Sequence, residues 1–153
     1  MDTKVYHREL KCARLGCKTT KGLQMQHTLL VIRGLPGSGK TTVAKNLVSS
    51  GLFDIYLEAD IWMKEHGVYK FDPAKLEHCH QCCQVCAAQS LETKNVIVSN
   101  TSLSRREVEV YRQIALRMNA HFQIMELKSP WKSVHNVPTA KLREMSTRWE
   151  NLV

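Results

Sequence analysis

The segment Gly34-Leu35-Pro36-Gly37-Ser38-Gly39-Lys40-Thr41-Thr42 constrains this chain more than any other. It satisfies G-x-x-x-x-G-K-[ST] and lies between an apolar run of strand length, Thr28–Arg33 (TLLVIR), and a stretch of helical character, Thr41–Val48. Glycines let the backbone curl so that successive N–H groups face inward toward phosphate oxygens. The helix that follows adds its positive N-terminal end. Lys40 is expected to reach the β and γ phosphates, and the Thr41 hydroxyl to ligate Mg²⁺. The strand, loop and helix together imply a nucleoside triphosphate held by Gly34, Pro36, Gly37, Ser38, Gly39, Lys40, Thr41 and Thr42.

The rest of the chain alternates in the manner that such a loop requires. Ile55–Leu57, Asn95–Ser99 and His121–Leu127 read as further strands. Helices are expected from Asp72-Pro73 to about Glu92, over Ser104–Asn119, and from Pro138 onward. On the last of these, Leu142, Met145, Trp149 and Leu152 share a face. Strands alternating with helices predict an α/β, three-layer P-loop fold with a small, mostly parallel sheet covered on both sides. Right-handed crossovers put the strand-to-helix loops on one edge, where ligands bind in open α/β sheets. No internal repeat or low-complexity stretch interrupts the pattern.

Charge divides the chain into two parts. The 153 residues carry a net +8, which suggests acidic partners such as nucleotides or nucleic acid. Residues 1–27 hold six bases and two acids, a net +4, ahead of the first strand. They are expected to be a basic, disordered or partly ordered extension, with residues 28–153 as the P-loop domain. Met25 is a candidate internal start, which the mass of the native protein decides. No apolar core follows the leading bases and no run is long enough to span a bilayer. The expectation is a cytoplasmic or nucleocytoplasmic protein, neither secreted nor bound to membrane.

Six cysteines without a secretion signal read as reduced thiols. Four of them, Cys79, Cys82, Cys83 and Cys86, crowd into one predicted helix with His78 and His80. No C-x₂-C pair recurs at the separation a closed zinc site needs. At about 100° per residue, Leu76, His80, Cys83, Ala87 and Leu91 fall on one stripe, with Cys79 beside it. Core packing is therefore expected rather than a metal site.

Beyond the loop, the second strand ends in Glu58-Ala59-Asp60, and the topology brings it toward the phosphate edge. A carboxylate there can take the proton of an attacking hydroxyl, and Asp60 is the candidate. IRGLPGSGKTT, EAD, YKFDPAKLEHCHQCC, NVIVSNTSL and VHNVP…REMSTRWE follow one another in an order that resembles the polynucleotide-kinase-like P-loop family. That family includes phage polynucleotide 5′-hydroxyl kinases and the kinase-like domains of NEDD-four-binding proteins. The resemblance covers residues 28–151. It implies ATP and Mg²⁺ as cofactors and Asp60 as general base on a substrate 5′-hydroxyl. By position it also picks out His80, Asn100, Thr101, Tyr111, His135, Val137, Pro138, Met145, Arg148 and Glu150, with Asn136 where the family has Gly.

Two departures bear on catalysis. The family usually has Asp at position 99, where an acid helps to hold Mg²⁺ through water, and this chain has Ser99. The family's lid is longer and carries arginines, whereas Trp131-Lys132-Ser133-Val134-His135 is short and has none. Losing such an arginine clamp can cost ~10³–10⁵ in rate. Lys128, Lys132 and His135 are the substitute cations, without the bidentate geometry of Arg. Ser99, Asn100, Lys132 and His135 are accordingly the secondary site candidates, behind Lys40 and Asp60. The leading expectation is a kinase acting on a nucleic-acid 5′-hydroxyl. The alternatives are a kinase of a nucleoside or other small hydroxyl compound, and a nucleotide-binding interaction module with impaired catalysis.

Overall fold

The computed structural model of the chain describes residues 26–128 and 137–152. In chain order the elements are β1 (Thr28–Gly34), α1 (Lys40–Ser49), β2 (Ile55–Leu57), a 3₁₀ turn (Ala59–Met63), β3 (Lys64–Glu65) and β4 (Val68–Tyr69). A second 3₁₀ turn (Pro73–Lys75), α2 (Leu76–Ser90), β5 (Val96–Ser99), α3 (Arg105–Arg117), β6 (His121–Leu127) and α4 (Thr139–Thr147) follow.

The apolar run of β1 is buried from Leu29 to Gly34 because it lies inside the sheet, with neighbours on both sides. It pairs in parallel with β5 (Leu29 opposite Val96, Ile32 opposite Ser99) and with β6 (Thr28 opposite His121, Gly34 opposite Leu127). β2 pairs in parallel with the far side of β5, Leu57 opposite Val98, so the order is β2-β5-β1-β6. The expected parallel α/β sheet is thus present, and in this sheet every pairing is parallel.

Strand alternation sorts the core into two layers. Leu29, Val31, Leu57, Val96 and Val98 pack with Cys83, Ala87 and Leu91 of the α2 region and with Tyr111, Ile114 and Ala115 of α3. Leu30, Ile32 and Ile97 face the other way, onto Ala44 of α1, with Tyr56, Met125 and Leu127 alongside. Cys83 is buried in the first of these layers and Cys79 in a smaller cluster with Ala59 and Met63, which is the packing role expected of them. Leu76, placed on the same stripe by its spacing, is instead 38% exposed. It sits at the first residue of α2, at the helix end, while Cys79, Cys83 and Ala87 carry the buried face.

Two boundaries differ from expectation, and one element is additional. The helix predicted from Asp72 begins as a 3₁₀ turn, since the Asp72 carboxylate accepts from the Ala74 N–H and closes a tighter first turn. α4 stops at Thr147, so Trp149 and Leu152 lie beyond it. There the Glu150 N–H donates to the Leu103 carbonyl and the Glu150 carbonyl accepts from Arg33, which draws the chain out of the helix. The β3–β4 hairpin was not expected at all. Its two-residue turn, His66-Gly67, has positive φ at both positions (51° and 85°). That is the type I′ pattern made by a dipeptide other than the usual Asn-Gly or Asp-Gly. Among the described residues no helix is long and apolar enough to cross a membrane.

Candidate nucleotide site

Parallel strands bring their carboxyl ends to one edge, and the loop after β1, the turn after β2 that carries Asp60, and Ser99 and Asn100 at the end of β5 lie there. β1 ends at Gly34, where the chain must pass close to β6. A Cβ on Gly34 would come within 2.6 Å of the Leu127 carbonyl oxygen and against the Ser38 hydroxyl. The Gly34 N–H donates to the Thr101 carbonyl at 3.3 Å, tying the loop to the chain after β5. Gly37 and Gly39 hold φ of 84° and 87°, the left-handed region that turns loop N–H groups inward. Gly39 is also the N-cap of α1, and no side chain caps the helix's first N–H groups. Those donors are thereby left to an anion. Ser38 is buried, Leu35, Pro36 and Gly37 are half-buried, and Thr42 is exposed on the first turn of α1.

Lys40 is half-buried, and its Nζ donates to the Gly34 and Leu35 carbonyls at 2.7 and 2.9 Å. Burial pushes its pKa down to about 8, while the charges of Asp60 and Glu58 pull the other way. The Asp60 carboxylate is therefore within electrostatic reach of the loop lysine. It also acts on Tyr69, whose pKa is raised by burial first and by the Asp60 charge second.

Glu58, two residues before Asp60, joins these groups at the sheet edge. The Thr41 hydroxyl donates to Glu58 Oε2 at 2.9 Å. Burial raises the Glu58 pKa, the hydrogen bond from Thr41 opposes that, and the Asp60 charge adds to it. A hydroxyl and a carboxylate side by side are hard oxygen donors, so Thr41 with Glu58 fits a magnesium ion. An acid two residues before Asp60 at a strand end was the available signal.

The secondary candidates separate. Ser99 is 3% exposed and its hydroxyl lacks a hydrogen-bond partner. Asn100 is equally enclosed, but its amide is engaged within the fold. Oδ1 accepts from the Ala59 N–H at 2.8 Å, and Nδ2 donates to the Tyr111 hydroxyl at 3.2 Å and meets Cys83 Sγ at 3.6 Å. Asn100 is thus a strut beneath the turn that carries Asp60. His80 is half-buried on α2. Lys128 is exposed and pairs with Glu126 at 4.0 Å. Lys132 and His135, with Trp131 and Asn136, lie outside the described residues, as does the basic segment up to Met25.

Comparison with known proteins agrees with this architecture. The family model described as AAA domain matches residues 29–147. Human NEDD4-binding protein 2 is 28% identical over 138 residues, covering 82% of this chain, and the chain spans 8% of that protein's length. A chain of the Pnkp1/Rnl/Hen1 RNA repair complex shares the fold with a TM-score of 0.63 at 18% identity, over 85% of this chain and 46% of that one. Kti12 of Chaetomium thermophilum, in complex with ADP-AlF3, shares it with a TM-score of 0.60 at 14% identity, over 80% of each chain. A phosphate loop on a four-stranded parallel sheet and a family match over most of the chain lead to one assignment: this chain belongs to the AAA domain family.

Proposed function

We propose that this chain is an ATP-dependent phosphotransferase that moves the γ-phosphoryl group to a hydroxyl, with a nucleic-acid 5′-hydroxyl as the acceptor. The observation that carries the reading is the convergence of Lys40, Thr41 and the Glu58–Asp60 turn on one sheet edge. Lys40 exchanges the Gly34 and Leu35 carbonyls for phosphate oxygens and offsets their charge. Thr41 and Glu58 are the residues that would hold Mg²⁺, whose chemistry is to neutralise charge on the phosphates. Asp60 accepts the proton as the acceptor oxygen bonds to the γ phosphorus and the bond to the β-phosphate oxygen breaks, releasing ADP.

The acceptor side favours a nucleic-acid end over a small nucleoside. The turn bearing Asp60 runs straight into the β3–β4 hairpin. The chain there presents exposed Lys64, Val68 and Lys70, and Phe71 at 57% exposure. Cations beside an aromatic face suit a phosphate backbone and a stacked base.

Transfer from labelled ATP to a 5′-hydroxyl oligonucleotide tests the reading. Asp60→Asn should lower turnover by ~10²–10⁴ while ATP still binds. Product that survives this change removes Asp60 from the mechanism. ATP binding without turnover on oligonucleotide or nucleoside would instead identify a nucleotide-binding module.

A further inference from the structure

Position 99, at the end of β5, is where an acid would be expected to steady the metal, and it is a serine here. Alternation along β5 puts Ser99 on the same sheet face as Ile97, the face covered by α1. Its hydroxyl is buried without a partner. A buried, uncharged and unpaired hydroxyl at that edge does not supply the negative charge a divalent ion needs.

The charge stands one strand further out. Leu57 is opposite Val98, so the next residues, Glu58 and Ser99, are neighbours across the β2–β5 pairing. Tyr56 packs on the α1 side, so alternation carries Glu58 to that side as well. Strands are about 4.8 Å apart, and β2 is separated from β1 by β5. A carboxylate starting from β2 needs a longer arm than one starting from β5, and glutamate has one more methylene than aspartate. The reach is sufficient, because Glu58 Oε2 lies 2.9 Å from the Thr41 hydroxyl, the metal-ligating group of the loop motif.

We propose that in this chain the metal-holding acid has moved from the end of β5 to the end of β2, with Glu58 taking over the task that Ser99 has lost. The inference rests on the phosphotransferase reading only in assuming a magnesium nucleotide. Glu58 would help to hold the ion beside the Thr41 hydroxyl and would supply the negative charge that Ser99 lacks. Asp60 is left for the acceptor.

The test is calorimetry of ATP binding to the full chain with and without Mg²⁺, supported by Mn²⁺ binding followed by electron paramagnetic resonance. In the wild type Mg²⁺ should tighten ATP binding. In Glu58→Gln that tightening should fall by about 10–100-fold, the size typical of losing an outer-shell partner. Metal-free ATP affinity should be kept or rise, since the substitution removes a negative charge beside the phosphates, and an unchanged thermal midpoint reports an intact fold. The double variant Glu58→Ser/Ser99→Asp should regain most of the tightening, since it returns the acid to β5. Undiminished tightening in Glu58→Gln, or none in the wild type, overturns the proposal. Loss in Glu58→Gln with regain in the double variant supports it even where no hydroxyl acceptor is phosphorylated, so the two readings fail separately.

Discussion

At the scale of single residues, Lys40 gives the site a pH dependence. With its pKa near 8 in the protein, it is mostly charged at neutral pH and loses its proton above that value. Phosphate oxygens favour the ammonium, so ATP bound as proposed would raise the Lys40 pKa again. Affinity should stay level below about pH 8 and fall by up to ~10-fold per unit above it, because binding then requires proton uptake. Calorimetry in buffers of different ionisation enthalpy reads both effects, and a flat profile would place Lys40 away from the phosphates. Gly34 makes a simpler case. Gly34→Ala drives a methyl group into the Leu127 carbonyl, which belongs to backbone and cannot swing aside. The overpacking should cost ~1–3 kcal/mol, visible as a lowered thermal midpoint. The positions of the glycine, the lysine and Asp60 at the sheet edge were legible in the sequence because a motif and a strand end mark them. Glu58 was not, because its importance is a contact with Thr41 that only folding creates.

At the scale of elements, the turn that carries Asp60 depends on Asn100. Asn100→Ala leaves the buried Ala59 N–H without its acceptor and removes the link to Tyr111. An unsatisfied buried donor costs about 1–3 kcal/mol, so denaturant unfolding should show a loss of that order. A loss below ~0.5 kcal/mol would mean that Asn100 is not a strut. Local signals mark some elements of the fold and not others. β1, β2, β5, β6 and α3 follow from apolar runs and from a helical stripe, which are local signals. The hairpin escaped because His66-Gly67 is an uncommon type I′ dipeptide and each strand is two residues long. The end of α4 escaped because a side chain from another strand, Arg33, sets it.

At the scale of the molecule, Arg33 joins the sheet to the C-terminal segment. It is fully buried at the end of β1 and donates to the Leu103 and Glu150 carbonyls at 3.1 and 2.9 Å. It also lies 3.4 Å from Glu126 and stacks 3.8 Å from the centre of the Trp149 ring. A desolvated guanidinium on an indole contributes about 2 kcal/mol. Trp149→Ala should therefore speed amide exchange over residues 139–152 while protection of β1 and β5 is kept. Unchanged exchange in that segment would show that it is held by other contacts. The sequence by itself determined the phosphate loop, the alternation of strands and helices, and hence a parallel sheet with its loops on one edge. These depend on spacing and periodicity within short windows. The tertiary structure alone decided that Glu58 meets Thr41, that Asn100 supports Ala59, and that Arg33 holds Glu150. Those partners lie 17, 41 and 117 residues apart in the chain, and the strand order β2-β5-β1-β6 together with packing against it brings them together. No local pattern encodes such distances, since they are set by which strands become neighbours.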